Sequence, residues 1–139
     1  MMSDCKYCSH SAELFDIAIP IRDFEMSELY LMKNQIYKGR CIIVCKQHRK
    51  EIFELSENEL KSYMSETAQA ARAIKSAFSA DKINYAVFGD TVPHLHFHLV
   101  PKYRDGRSWG VPFEMDPKPW TSLEEREYAA IIEEIRKKL

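Results

Sequence analysis

One stretch constrains this chain more than any other, the run H-L-H-F-H-L-V-P at residues 94–101. Its histidines alternate with large apolar residues, and a period of two is that of an extended strand, whose successive side chains point to opposite faces. The imidazoles of His94, His96 and His98 would then share one face at steps of roughly 7 Å, with the apolar residues turned toward a core. A face that only needs solvation would use lysine, glutamate or threonine. Three of the chain's five histidines in strict alternation therefore indicate a functional site.

Length and charge restrict the class of protein. The chain has 139 residues, 45% of them hydrophobic and 12% aromatic, which predicts a single domain over residues 1–139 with a core that needs no disulfide. A net charge of −1 without a basic stripe argues against non-specific nucleic-acid binding. No apolar run approaches the ~20 residues of a membrane span, and no signal-peptide pattern is seen. We therefore expect a cytoplasmic protein whose four cysteines are thiols or metal ligands.

The motif C-x-x-C, formed by Cys5 and Cys8, has more than one chemical interpretation. As a redox pair it would usually open a helix that follows a strand, and no strand is predicted before Cys5. As half of a zinc site it needs two more ligands, for which His48 and His94 are candidates and the nearby His10 is a competitor. Two thiols without a metal are the remaining possibility.

Apolar periodicity predicts the other elements. Besides the histidine strand, four strands are predicted, over residues 13–20, 28–32, 41–45 and 83–88. The last of these should pair antiparallel with the histidine strand. A capping box at residues 56–59 opens a long amphipathic helix, and a second box at residues 121–124 opens a C-terminal helix. Glycines and prolines make residues 102–120 a loop.

The histidine stretch resembles the signature of the histidine-triad (HIT) family of nucleotide hydrolases and transferases, H-x-H-x-H followed by two apolar residues. Residues 83–93, which lead into it, and the earlier run at residues 38–48 also resemble the family, in the right order. The resemblance implies an α+β fold, with a five-stranded antiparallel sheet, one long helix packed on it and a C-terminal helix. Because family members commonly pair two such sheets edge to edge, we expect a homodimer.

Family members with an N-terminal C-x-x-C hold a structural zinc ion with two cysteines and two histidines. The resemblance implies that the ligands in this chain are Cys5, Cys8, His48 and His94.

The resemblance also implies roles for the other two triad residues. His96 would attack the α-phosphorus and form a nucleotidyl-histidine, which water then hydrolyses. His98 would donate to the phosphate oxygens and ease departure of the leaving group. Neutral imidazole suits this chemistry at pH 7, and the scheme requires no magnesium.

Substrate-binding residues follow from the same resemblance. Asn84 and Thr91 match positions that donate hydrogen bonds to the α-phosphate. The family's acidic ribose ligand is replaced by Met32 here, so ribose recognition would pass to Asn34. Asp90 stands where an amide is usual, and a carboxylate beside a phosphate is repulsive unless it points away.

These roles predict a hydrolase of nucleoside 5′-phosphate derivatives, such as diadenosine polyphosphates or nucleoside phosphoramidates. Residues 93–103 look most like the diadenosine-polyphosphate hydrolase branch. A nucleotidyltransferase is the alternative, although the uridylyltransferase relatives carry glutamine at the third triad position. A non-enzymatic zinc- or nucleotide-binding module is the other alternative. Arg104, Arg107 and Trp109 would contact distal phosphates or a base, or serve only solvation and dimer packing.

Overall fold

The fold is built on one antiparallel sheet, seen in a computed structural model that describes residues 4–139. In these residues the sheet has five strands in the order β1-β2-β3-β5-β4. The strands are β1 Ala18–Asp23, β2 Ser27–Met32, β3 Cys41–Cys45, β4 Lys82–Val87 and β5 His96–Lys102. The helices are α1 Lys6–Ser9, α2 Ala12–Ile17, a 3-10 turn Ile52–Glu54, α3 Glu57–Phe78 and α4 Glu125–Lys138. The predicted α+β fold is confirmed.

The two faces of the sheet carry different cores. On one face, α3 and α4 bury Tyr63, Ile74 and Ile135 against strand residues that include Leu31 and Leu99. Fully burying side chains of this size contributes about 1.5–3 kcal/mol each, which makes this face the main source of stability. The opposite face, which carries the histidines, is covered near β1 and β2 by a smaller cluster from α1, α2 and the sheet, formed by Tyr7, Leu14, Ala18, Tyr30, Ile42 and Val44.

Strand β3 has the predicted bounds and lies at the centre of the sheet, between β2 and β5. All five of its residues are buried, as expected for a strand covered on both faces. Cys41 and Cys45 are buried beside Ile43, and burial raises the pKa of the Cys41 thiol well above its usual range. These two cysteines therefore serve packing.

The prediction of one strand over residues 13–20 is wrong in its first half, where α2 forms. Leu14 and Ala18 are buried and Ile17 is partly buried, whereas Phe15 is 39% exposed, so the buried residues recur at three- and four-residue steps, as in a helix. The strand begins at Ala18 and continues through Pro20, which was predicted to end it. Proline is tolerated there because β1 is an edge strand with a register shift between Pro20 and Arg22.

The capping box of the long helix is confirmed, and the box of the last helix lies three residues later than predicted. Ser56 caps α3, since its hydroxyl accepts from the Glu59 N–H at 3.2 Å. In α4 the N-cap is Glu124, paired with Glu127. Thr121 cannot open this helix because its backbone is bonded to the segment that follows β2. None of the described helices is long and apolar enough to cross a bilayer.

Gly39, shortly before the central strand β3, provides a test of the packing of α3 against the sheet. Its φ is +90°, and a Cβ there would meet Phe78 Cδ2 at 2.7 Å. Gly110 has a similar φ of +84° with no atom within 4 Å of its Cβ position, so it is a matched control. We expect Gly110→Ala to cost about 1–2 kcal/mol of unfolding free energy, from backbone strain alone. Gly39→Ala should cost about 1–3 kcal/mol more, because the overpacked ring must also shift.

Urea denaturation of both variants measures the two costs. Equal losses in the two variants would show that the Phe78 ring moves away from the new Cβ without a cost in unfolding free energy.

Candidate functional site

Two histidines at the start of β5 form the centre of the site. His96 lies opposite Val44 and His98 opposite Ile42 in the β3–β5 ladder. Their ring centroids are 5.2 Å apart, and both side chains are at least nine-tenths buried. The strand begins at His96, so His94 lies just outside it. The prediction that all three histidines lie on one regular strand is therefore wrong for His94.

The hydrogen bonds of His96 determine which of its ring nitrogens is free. Nδ1 lies 2.6 Å from the carbonyl oxygen of His94. A carbonyl can only accept, so Nδ1 carries the proton and Nε2 carries the lone pair. Burial lowers the pKa of His96, which keeps the ring neutral near pH 7. The result is a neutral imidazole with an available nitrogen nucleophile.

His98 is surrounded by two aromatic rings, His96 and a cation. Phe88 and Phe113 each place a ring centroid 6.0 Å from its own. Arg40 Nη2 lies 3.4 Å from Nδ1 of His98. Burial, followed by the charges of His96 and Arg40, lowers the pKa of His98 to about 3, so this ring is also neutral at pH 7.

Both imidazoles open onto a cavity of about 480 Å³, a size typical of small-molecule sites. Of the residues predicted to bind substrate, Asn34 and Thr91 line it together with His98, and Asp90 lies at the same wall. Other parts of its lining come from the N-terminal helices, β2 and the C-terminal loop, and include Tyr7, Ile17, Met32, Met115, Asp116 and Trp120.

Asn34 lines the cavity while its polar atoms serve the chain's own backbone. Its Nδ2 donates to the Pro117 carbonyl at 3.1 Å, and its Oδ1 accepts from the Thr121 N–H at 3.1 Å. The side chain is 95% buried, since its exposed fraction is 5%. Asn34 therefore fixes residues 117–121 against the end of β2.

Asn84 lies apart from the histidine cavity. It pairs with Val100 on β5, on the face that carries His98 but one residue pair further along that face. There it lines a second cavity with Lys102 and Trp109.

Three residues of the C-terminal loop for which substrate contacts were considered, Arg104, Arg107 and Trp109, lie outside the histidine cavity. Arg104 lies 3.6 Å from Asp81 and stacks over Trp109 at 5.3 Å. Arg107 forms an ion pair with Glu114. None of these residues lines the cavity that contains the histidines.

Arg40 is a charged site residue that sequence reasoning missed, as it also missed Phe88 and Phe113. It lines the histidine cavity, is 2% exposed and stacks on Phe113 at 5.1 Å. A signal was present, because a period of two back from Ile42 places residue 40 on the histidine face. That signal becomes usable only when the pairing of β3 with β5 is known.

The two cysteines of the C-x-x-C motif lie beside the two predicted histidine partners. Cys8 Sγ lies 3.1 Å from His48 Nδ1 and 3.4 Å from His94 Nδ1, and Cys5 Sγ lies 3.3 Å from His94 Nδ1. The four ligand atoms all lie within 4.8 Å of one another. His10 is not part of this cluster, since its Nε2 lies 3.0 Å from Glu28.

The donor set and its geometry fit a tetrahedral metal ion. With zinc–ligand bonds of about 2.0–2.3 Å, ligand atoms are expected roughly 3.3–3.8 Å apart. The three sulfur–nitrogen distances given above, 3.1–3.4 Å, are close to this range. His94 Nε2 lies 2.6 Å from the Cys45 carbonyl and must donate to it, which leaves the lone pair on Nδ1, the nitrogen that faces the cysteines.

The chain belongs to the histidine-triad family. Residues 18–105, more than half of the chain, match the HIT domain.

Sequence relatives include enzymes and proteins without an assigned activity. The protein hit of Bacillus subtilis is 28% identical over 59% of this chain and 60% of its own length. The adenosine 5′-monophosphoramidase of Schizosaccharomyces pombe is 25% identical over 73% of this chain and 74% of its own. A bis(5′-adenosyl)-triphosphatase of Saccharomyces cerevisiae is 36% identical over 37% of this chain and 27% of its own. The chain thus spans about three fifths of the first of these relatives and about a quarter of the last.

Solved structures of the family share the fold. A histidine triad protein from Sinorhizobium meliloti superposes with a TM-score of 0.84 at 26% identity, covering 93% of this chain and 95% of the other. A zinc-bound histidine triad family protein from Mycobacterium smegmatis has a TM-score of 0.69 at 21% identity, covering 99% and 94%. The second similarity shows the fold alone.

The lowered pKa of His98 predicts how stability depends on pH. Its pKa of about 3 in the folded protein lies below the ordinary 6.5, so between these values the unfolded chain binds the proton and the folded protein does not. Stability therefore falls as pH falls through this window. The free energy of unfolding of His98→Gln should fall less steeply than that of the wild type, by up to about 1.4 kcal/mol per pH unit.

Urea denaturation at several values between about pH 7 and 4 gives the two slopes. Parallel curves for the variant and the wild type would mean that His98 titrates in the folded protein as it does in the unfolded chain.

Proposed function

We propose that this protein hydrolyses nucleoside 5′-phosphate derivatives at the α-phosphate through a nucleotidyl-histidine intermediate. The observation that carries the proposal is the bond from His96 Nδ1 to the His94 carbonyl, because it leaves Nε2 as a neutral nucleophile on a cavity of nucleotide size. A neutral nucleophile avoids the repulsion that an anion would meet on approaching a phosphate.

In the first step, His96 Nε2 attacks the α-phosphorus and the bond to the leaving group breaks. His98 donates a hydrogen bond to the phosphate oxygens, stabilises the developing charge and eases departure of that group. In the second step, water attacks the same phosphorus and gives up a proton to solvent, the P–N bond breaks and a nucleoside monophosphate is released. His96 then returns to its neutral form.

The substrate class follows from the cavity and the relatives. A phosphoramidase and a diadenosine triphosphatase, both distant relatives, act on nucleoside 5′-phosphate derivatives, which supports the same class here. In this proposal Thr91 donates to the α-phosphate. Asn34 contributes to ribose recognition through its place in the cavity lining, since its amide is bonded to the backbone of residues 117 and 121. Asn84 lines the neighbouring cavity and has no part in binding the α-phosphate.

We also propose that zinc occupies the cluster of Cys5, Cys8, His48 and His94. Four protein ligands leave no open position, so zinc bound there stabilises the fold and is not expected to activate water. The expected homodimer and the single-domain organisation over residues 1–139 stay predictions.

The nucleophile is tested by His96→Ala, which should abolish turnover because the proposed covalent bond is formed by Nε2 of His96. His98→Gln should lose about 10²–10³ in rate, the cost of one donor to the transition state. His10→Gln is the matched control and should keep full activity, since His10 pairs with Glu28 outside the cavity. Initial rates are measured with diadenosine tri- and tetraphosphate, adenosine phosphoramidate and nucleoside-diphosphate sugars.

Stereochemistry separates the covalent route from direct attack by water. Two in-line displacements invert phosphorus twice, so a chiral phosphorothioate should react with net retention. Net inversion would instead make His96 a general base. Transfer to an acceptor other than water would favour a nucleotidyltransferase, and binding without turnover would favour a non-enzymatic module.

The zinc proposal predicts about one ion per chain in protein purified without chelator. Cys5→Ser combined with Cys8→Ser should remove the ion and lower the melting temperature, because metal binding contributes directly to folding. His10→Gln should retain the ion. Metal analysis and thermal unfolding measure both effects, and wild-type protein without zinc would contradict the proposal.

A further inference from the structure

Arg40 is a buried cation in the histidine cavity with weak local compensation. It is 2% exposed, and its closest polar neighbours are His98 Nδ1 and the Glu114 carbonyl, both at 3.4 Å, and Met115 Sδ at 3.5 Å. Its Nε is buried with no hydrogen-bond partner. Within residues 4–139, no carboxylate lies at ion-pair distance from it, and the charge of Asp116 only partly offsets the burial that lowers the pKa of Arg40. A charge buried in this way costs free energy and therefore calls for a functional explanation.

The direction of the contact between Arg40 and His98 follows from chemistry. A guanidinium has five N–H donors, no acceptor, and does not lose its proton in a protein. Nδ1 of His98 can therefore meet it favourably only as an acceptor. In a neutral imidazole, a lone pair on Nδ1 places the proton on Nε2.

The surroundings of His98 strengthen this assignment. Phe88 and Phe113 contact the ring in tilted arrangements and offer it no hydrogen-bonding group, and His96 is bonded to the His94 carbonyl. Arg40 is therefore the polar side chain within hydrogen-bond distance of this ring in the described residues. Because the pKa of His98 is about 3, the ring is neutral at pH 7, and the choice between its two tautomers is the only protonation question left.

We propose that Arg40 is a positioning residue that holds His98 as the tautomer with its proton on Nε2. For its catalytic consequence this inference rests on the proposed hydrolase, in which His98 must donate to the phosphate. The tautomer itself does not depend on any activity.

The alternative tautomer would be unfavourable twice. It would direct an N–H of His98 at a cation that already presents only N–H groups. It would also offer the substrate phosphate a lone pair where the reaction needs a donor, and losing one such donor typically costs 10²–10³ in rate. Arg40, the residue just before β3, therefore determines which nitrogen of His98 carries the proton that the reaction uses.

The tautomer is observed directly by long-range ¹H–¹⁵N correlation spectra of the intact, metal-loaded protein. The His98 signals are assigned by their loss in His98→Gln. In the wild type, we expect an unprotonated Nδ1 and a protonated Nε2. In Arg40→Met, which keeps much of the side-chain volume without charge or donor, the two tautomers should mix. Arg40→Lys keeps a cationic donor and should retain the Nε2–H form.

Kinetics test whether Arg40 acts through His98. Arg40→Met should lower kcat by up to the 10²–10³ lost in His98→Gln. The double variant should then have the same kcat as His98→Gln alone, because removing one partner already removes the interaction. A merely structural contribution would add to the loss in the double variant and leave the spectrum unchanged.

A protonated Nδ1 in the wild type, an unchanged tautomer in folded Arg40→Met, or additive losses in the double variant would each overturn the inference. If Arg40→Met fails to fold, the wild-type and Arg40→Lys spectra decide. Failure of the proposed function is distinguishable, because no nucleotide would then be turned over while the spectra would still report the tautomer.

Discussion

The pairing of β3 with β5 is the constraint on which the rest of the site depends. The register sets Ile42 opposite His98 and Val44 opposite His96. Because side chains alternate along a strand, a slip of one residue would turn both imidazoles into the core and expose Phe97 and Leu99. Burial of β3 on both faces makes such a slip costly. The bond from the Cys45 N–H to the Leu95 carbonyl extends this pairing to the residue before His96.

Backbone carbonyls then determine which nitrogens can do chemistry. The Cys45 carbonyl orients His94 toward the cysteines, and the His94 carbonyl orients His96 toward the cavity. His94 is thus shared by two centres, with its ring in the cysteine cluster and its carbonyl behind His96. A displacement of the His94 backbone would disturb both, so the geometry of the cysteine cluster and that of the histidine cavity depend on each other.

The C-terminal loop forms the wall of the cavity that contains Met115 and Trp120. Buried hydrogen bonds, and not regular secondary structure, hold this loop in place. Lys102 is 2% exposed and donates to the carbonyls of Ser108 and Val111 at 2.5 and 2.7 Å. Asn34 holds the loop again near Pro117, and the Gln35 N–H donates to the Thr121 carbonyl. These bonds bring Trp120 and Met115 to the cavity, and Met115 to Arg40, which explains how a segment rich in glycine and proline can form a wall of the site.

Much of this molecule was determined by local pattern in the sequence. The alternation at residues 94–101 indicated the histidine face, the apolar run at 41–45 predicted the central strand, and a serine followed three residues later by glutamate predicted the start of α3. The association of Cys5 and Cys8 with His48 and His94 also agrees with prediction, although the resemblance to known proteins supplied it. These predictions agree with the structure because periodicity and capping depend on residues close together in the chain, and ligand type depends on the residue itself.

Tertiary structure decided what depends on residues distant in the chain. Leu14 lies in a helix that packs it against Tyr30 and Ile42 of the sheet. Thr121 does not begin α4, because its backbone is bonded to the segment after β2. Asn84 is separated from the cavity by its register with Val100. Arg40 acquires its importance only when β3 lies beside β5, since the burial of its charge and its contact with His98 do not exist in the extended chain. The sequence by itself determined which chemical groups are present and on which strand face they lie, whereas long-range packing decided their partners, and with them protons, charges and access to the cavity.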